Sequence, residues 1–188
     1  AGVVTLVKDG RILLMADPQQ VDVPAGVNGQ VLEVDPARGV LIETYGALLQ
    51  GMWGNGKRAM GALRMEPADG LDHAGDALGM QYRGAIVITR RPLRRETFHV
   101  IEEQALSGVI APSMEPDLIE LALESIAAIM LVEGFGTQRL STAAAQYLEG
   151  MGGRQATLDA VLPASLETRR PEVIINVPLE PGERPAAP

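Results

Sequence analysis

The sequence predicts an α/β protein in two parts: an all-β segment over residues 1–66 and a small three-layer α/β domain with a mainly parallel sheet over 80–178. Three observations predict it. Residues 1–66 are short Val-, Ile- and Leu-rich runs broken by turn dipeptides, which is the pattern of hairpins. From residue 80 the apolar period changes, and strand-like runs alternate with helical ones as in βαβ units. Between the two, residues 67–79 are polar, small and acidic and read as a linker.

In the β half the turn dipeptides are Asp9-Gly10, Asp17-Pro18, Asn28-Gly29, Arg38-Gly39 and Asn55-Gly56. Gly takes positive φ cheaply, and Asn or Asp before it suits a hairpin's primed turn. There is also an internal repeat: residues 2–14 match 29–42, each copy being Gly, strand, a short turn ending in Gly, and strand. A lone hairpin cannot bury its apolar face, so the two copies are expected to pack on each other. Trp53, the only Trp, lies in a Gly-rich stretch and is expected to plug the end of a small barrel.

In the α/β half, residues 85–89 form a continuous apolar run that reads as a strand buried on both faces. Pro92 opens a helix with Leu93, Thr97, Val100, Ile101 and Ala105 at helical spacing. A strand over 108–111 follows, and Ser113 and Pro116 are expected to start a second helix. Residues 128–132 read as a third strand, Ser141 as the cap of a helix ending at Gly150, and 173–177 as the last strand.

The two hairpin units, joined by Asp22-Val23-Pro24-Ala25-Gly26-Val27-Asn28-Gly29, resemble the barrel-sandwich fold of biotinyl and lipoyl carrier domains. Residues 23–31 are similar to the opening of those modules, in which an apolar residue and Pro precede a small residue, Gly and Val. The resemblance covers about the first 45 residues and implies a barrel-sandwich-like N-terminal domain. Its swinging-arm function does not carry over. Carrier domains present a Lys at a hairpin tip, and the tip here, Met15-Ala16-Asp17-Pro18-Gln19-Gln20, has none. Lys8 lies in a different turn without flanking Met. The two halves together, over 40–56 and 108–136, resemble a group of uncharacterised bacterial proteins that pair a barrel-sandwich segment with a small α/β segment. That resemblance implies a layout and no activity.

Composition narrows the chemistry. With 46% apolar residues in 188 the chain can bury a real core, and without Cys it has no disulfide, thiolate metal site or thiol nucleophile. Lys occurs only at 8 and 57, which disfavours Schiff-base chemistry and lysine-attached cofactors, and no cofactor or metal is expected. No apolar run approaches the ~18 residues of a membrane span, and a cytoplasmic location is expected. The start at Ala1 and the Pro-rich end at 181–188 read as a fragment or processed form with a disordered tail or linker.

The formal charge of −8 is uneven: residues 83–95 hold Arg83, Arg90, Arg91, Arg94 and Arg95 and no acid, so that window is +5 and the rest −13. Four of these Arg precede or enter a predicted helix, where the macrodipole disfavours cations by a few tenths to ~1 kcal/mol each. That placement points to an anion. In open parallel sheets ligands gather at strand carboxyl ends. The ends at 89–91, 112–115 and 133–136 give Arg90, Arg91, Arg94, Arg95, Ser113, Glu115, Glu133 and Gly134 as candidate ligand-binding residues. The competing reading is ordinary βα turns, with the Arg paired to Glu96, Glu102, Glu103 or the acidic stretch at 66–76. Pairing of Arg90, Arg94 and Arg95 with carboxylates of their own chain removes the case for an external anion.

Known motifs do not fill the gap. Glu133-Gly134 resembles the strand-end Glu-Gly of Toprim domains, but the later Asp-x-Asp is missing. The strand–loop–helix around Ser113 resembles the swivelling phosphohistidine domain, but the loop has no His. His73 and His99 have no ligand neighbours at metal spacing and read as surface residues. No Gly-x-Ser-x-Gly surrounds Ser113 or Ser141, and no P-loop or Gly-x-Gly-x-x-Gly is present. The expectation is a non-enzymatic binding or assembly module, forming a homo-oligomer or docking a protein partner, with an anionic partner on the Arg-rich edge. The first alternative is a small-molecule or phosphate-binding domain with its site at the strand carboxyl ends. The second is nucleic-acid binding, which the net charge and the scarcity of aromatics oppose.

Overall fold

The computed structural model describes residues 2–16, 22–23, 25–73, 78–162 and 169–177. The tip at 17–20, part of the predicted linker (74–77) and the tail from 178 onward lie outside the described residues.

The first two strands, β1 (Gly2–Lys8) and β2 (Arg11–Ala16), form an antiparallel hairpin, and β3 (Gln30–Asp35) and β4 (Gly39–Glu43) form another. Asp9 and Gly10 both have positive φ, +49° and +72°, as a two-residue primed turn requires. The second turn is held by Asp35, whose Oδ1 accepts the Ala37 N–H at 2.8 Å. Each hairpin has one register shift, between Val4 and Leu6 and between Val31 and Glu33. With Gly2 aligned on Gly29, the bulged residues Thr5 and Leu32 coincide, so the repeat extends to the bulge. The expected packing of the two copies is absent. They are separate two-stranded sheets, and their described residues are exposed on both faces apart from Asp35, Ile42 and Glu43.

All the other strands among the described residues belong to one eight-stranded mixed sheet. They are β5 (Gly46–Gln50), β6 (Trp53–Gly54), β7 (Lys57–Met65), β8 (Ile86–Ile88), β9 (Gly108–Met114), β10 (Ala128–Phe135), β11 (Gln155–Ala160) and β12 (Glu172–Asn176). Their order is β5-β12-β11-β7-β8-β9-β10-β6. Strands β7, β8, β9 and β10 run parallel, and the other pairings are antiparallel. The fold is therefore α/β, but the sheet is mixed rather than mainly parallel. The boundary expected at 66–80 does not coincide with a break in it, because β5, β6 and β7 hydrogen-bond with strands from the second half. The strand at 155–160 has no counterpart in the sequence reading.

The two ends of this sheet are halves of one continuous segment. Gly51 N–H donates to Pro171 O, just before β12, at 2.8 Å, and the next residue, Met52, donates to Leu131 O of β10, also at 2.8 Å. Residues 46–54 thus pair with β12 at one end and β10 at the other, closing the sheet into a barrel. A Cβ on Gly51 would lie 2.6 Å from Leu131 O, so the closure needs Gly.

Alternation along the parallel strands builds two cores. Leu63, Ile86, Ile88, Ile110, Met130, Leu158, Val173 and Ile175 fill the barrel, and Leu148 of α3 (Thr142–Gly150) joins them. Val87, Val109, Ala111, Ile129 and Leu131 face outward under Phe98 and Ile101 of α1 (Arg95–Glu103), together with Ala122 of α2 (Ile119–Glu124). Burial on both faces is why β8–β10 read as unbroken apolar runs. Trp53 is a correction: it lies edge-on to Phe135, centroids 5.5 Å apart, against the outer core. It does not plug the barrel. Among the described residues no helix is long and apolar enough to cross a membrane.

Candidate functional site

The carboxyl ends of β7, β8, β9 and β10 meet on one edge. At the β7 end of that edge, directly after the strand, is Glu66, a residue absent from the candidate site residues. Its side chain is buried. Oε1 accepts the Arg90 N–H at 2.7 Å, and Oε2 is 3.4 Å from the Leu71 N–H. Burial raises its pKa above the ordinary Glu value, against the lowering effect of those two N–H groups and of Arg91 and Arg90. Its position at a parallel strand's end was the signal that could have revealed it.

Four of the five Arg of the 83–95 window divide among internal partners. Arg90 reaches Glu66 O at 3.2 Å and Glu149 at 3.2 Å, and Arg91 donates to Ala68 O and Asp69 O at 3.5 and 3.3 Å. Arg94 lies 4.0 Å from Asp72, and Arg95 lies 3.9 Å from Asp117. Arg90, Arg94 and Arg95 all face carboxylates of their own chain, so the case for an external anion falls. The Arg95–Asp117 pair is exposed on both sides and worth at most about 1 kcal/mol, whereas Asp72 of the Arg94 pair is half-buried. They still answer the charge puzzle. Arg94 N–H donates to Thr97 Oγ1 at 3.1 Å, and that hydroxyl donates to Asp72. The anion expected at the α1 entrance is Asp72 itself.

Ser113 does not start a helix. It is a fully buried residue of β9, where its hydroxyl donates to Gln138 O at 2.7 Å and its carbonyl accepts the Leu93 N–H at 2.9 Å. The strand continues through Pro112, and the helical turn starts at Pro116 instead. Gly134, with φ +96°, pairs with Ser113 beyond a bulge in β10. Glu115 and Glu133 are exposed. The edge thus brings Arg90 and Arg91 to Glu66, pairs Ser113 with Gly134 further along it, and turns Arg94 and Arg95 toward other acids. What remains between Glu66, Thr89, Arg91 and Thr97 is a cavity of only about 10 Å³, scarcely a water's worth.

Ser141 is a cap as expected, accepting the Ala144 N–H at 3.2 Å. His99 is exposed beside Glu103 at 3.1 Å, and His73 is exposed. No protein-family model matches the chain, nor does any curated protein sequence.

The surface left unsatisfied lies elsewhere. Among the described residues the first hairpin exposes Val3, Val4, Leu6, Val7, Ile12, Leu13, Leu14 and Met15, and the second Val31, Leu32, Val34, Val40 and Leu41. Each is between 52% and 67% exposed.

Proposed function

We propose that this protein is a non-enzymatic assembly module whose N-terminal hairpins are its docking elements and whose partner is a second copy of the chain. The observation that carries this reading is the apolar surface on both hairpins. Fully burying an aliphatic side chain stabilises by ~1.5–3 kcal/mol at ~25 cal/mol per Å², so these residues at their exposures present roughly 500–900 Å² of apolar area. Summed over the two hairpins, this is comparable with the ~800 Å² per partner that a stable interface buries.

Charge selects the pairing. The first hairpin carries Lys8, Asp9 and Arg11, net +1, and the second carries Glu33, Asp35, Arg38 and Glu43, net −2. Hairpin one of each copy therefore prefers hairpin two of the other, a twofold arrangement with two equal contacts. Such closure would assemble between copies the barrel-sandwich that the repeat resembles. It gives the repeat a role without the carrier Lys. The self-paired Arg edge speaks against docking an anionic partner there, and its filled cavity against a ligand site at the strand carboxyl ends.

Light scattering after gel filtration tests the reading. The chain is expected to be a dimer, and Leu13→Asp with Leu41→Asp a monomer with unchanged circular dichroism from the barrel. A wild-type monomer, or a dimer that survives both charges, overturns it.

A further inference from the structure

The chain has three Asn, and two of them, Asn28 and Asn55, precede Gly. The fold needs Gly after both. A Cβ on Gly29 would collide with Glu43 O and lie 2.7 Å from Ile42 Cγ2, and Gly56 has φ +82°. The two Asn side chains are held very differently. Asn55 is buried, with Nδ2 donating to the Ala122 and Ala127 carbonyls and Oδ1 accepting the Ile129 N–H. The Gly56 N–H beside it donates to Ala160 O at 2.6 Å. Asn28 is half-buried, and its side chain makes no hydrogen bond among the described residues. Its backbone carbonyl accepts the Thr44 hydroxyl at 2.7 Å, which fastens the start of the second hairpin to its end. Asn28 and Gly29 line an open cavity of about 460 Å³ at the base of that hairpin, with ample room for water.

We infer that Asn28-Gly29 is a self-modification site, at which Asn28 deamidates to aspartate and isoaspartate while Asn55 is preserved. The backbone nitrogen of Gly29, having lost its proton to hydroxide, attacks Asn28 Cγ. A C–N bond forms, the Cγ–Nδ2 bond breaks, and Nδ2 takes up a proton and leaves as ammonia. The product is a five-membered succinimide. Water opens that ring at the side-chain carbonyl to give aspartate, or at the backbone carbonyl to give isoaspartate, whose main chain runs through the former side chain. Ring closure needs a side chain free to turn onto the next nitrogen and a following residue without a Cβ. Asn28 has both. Asn55 has only the second, because attack there first requires a local opening that breaks its three side-chain bonds. Nor can the fold protect Asn28 with a bulkier neighbour, since Gly29 has no room for one. Either product adds a carboxylate to the root of a hairpin that is already net −2. Isoaspartate also lengthens the main chain where Thr44 fastens it.

The test is incubation of the chain at mildly alkaline pH, in buffer and in guanidinium chloride, with amide loss at each Asn followed by peptide mapping and mass spectrometry. In buffer the Asn28 peptide is expected to convert to the acid. Part of that product is expected to resist a protease that cleaves before aspartate, which marks isoaspartate. Asn55 is expected to react on the order of ten- to a thousandfold more slowly, the net worth of its three side-chain hydrogen bonds. In guanidinium chloride the two are expected to react at similar rates, since each precedes Gly. Asn28→Gln, whose longer side chain disfavours ring closure, is expected to abolish the loss at 28 and leave that at 55 unchanged. Equal rates at the two positions in buffer overturn the inference. So does an Asn28 amide that persists in buffer over the time in which denaturant destroys it.

Discussion

Asn55 holds the barrel to its helical cover, and removing its side chain is expected to cost more than any other polar substitution in the described chain. Its Nδ2 donates to Ala122 O at 2.8 Å and Ala127 O at 2.9 Å, and its Oδ1 accepts the Ile129 N–H at 2.9 Å. Asn55 is 5% exposed, and Ala122, Ala127 and Ile129 are buried. Asn55→Ala strands three buried backbone groups at ~1–3 kcal/mol each, and partial relaxation leaves an expected loss of about 3–5 kcal/mol. Set against a domain stability of ~5–15 kcal/mol, that is a large fraction. Asn55→Asp keeps the acceptor for Ile129 but turns a carboxylate oxygen toward two carbonyls. Its folded-state pKa is then raised, so its stability falls as pH rises through that value and recovers as the acid protonates and donates one bond. Urea unfolding followed by Trp53 fluorescence, at neutral and mildly acidic pH, measures both. A loss below about 1 kcal/mol for Asn55→Ala, the size of an ordinary substitution, refutes the reasoning. An Asn55→Asp variant as stable as wild type at neutral pH does the same.

Glu66 sets a second pH dependence. Its folded pKa is raised, so the folded state holds its proton more readily than the unfolded chain, and its contribution is full below the ordinary Glu pKa and lost as pH rises through the folded value. Glu66→Gln is expected to flatten that fall in a stability–pH profile. Gly51→Ala puts a Cβ 2.6 Å from Leu131 O and 2.7 Å from Met130 Cγ, and is expected to cost at least ~1–3 kcal/mol in the urea midpoint by opening the barrel seam. Lys57 Nζ donates to Leu123 O at 2.8 Å and to Ser125 O, capping the carbonyl end of α2. Lys57→Met is expected to lose about 1 kcal/mol and to speed hydrogen exchange in α2 selectively.

Local patterns were legible and long-range ones were not. The run at 85–89 read as a doubly buried strand because Ala85 and Val87 face one core and Ile86 and Ile88 the other, and Ser141 read as a cap because its partner lies three residues on. Strand β11 escaped because Gln155, Thr157 and Asp159 alternate with Ala156, Leu158 and Ala160, and only one large apolar residue marks its inner face. Asn55 looked like half of a turn dipeptide, although its side chain bonds groups near 122–129. Ser113 looked like a cap because a hydroxyl beside Pro usually ends a strand, and the carbonyl of Gln138 that satisfies it is distant in sequence. The pairing of the Arg window was legible only at Asp72, which lies in the acidic stretch offered as its partner; Asp117 and Glu149 were not among the expected acids. Those two reach it only through the fold, since each lies more than 20 residues from its Arg.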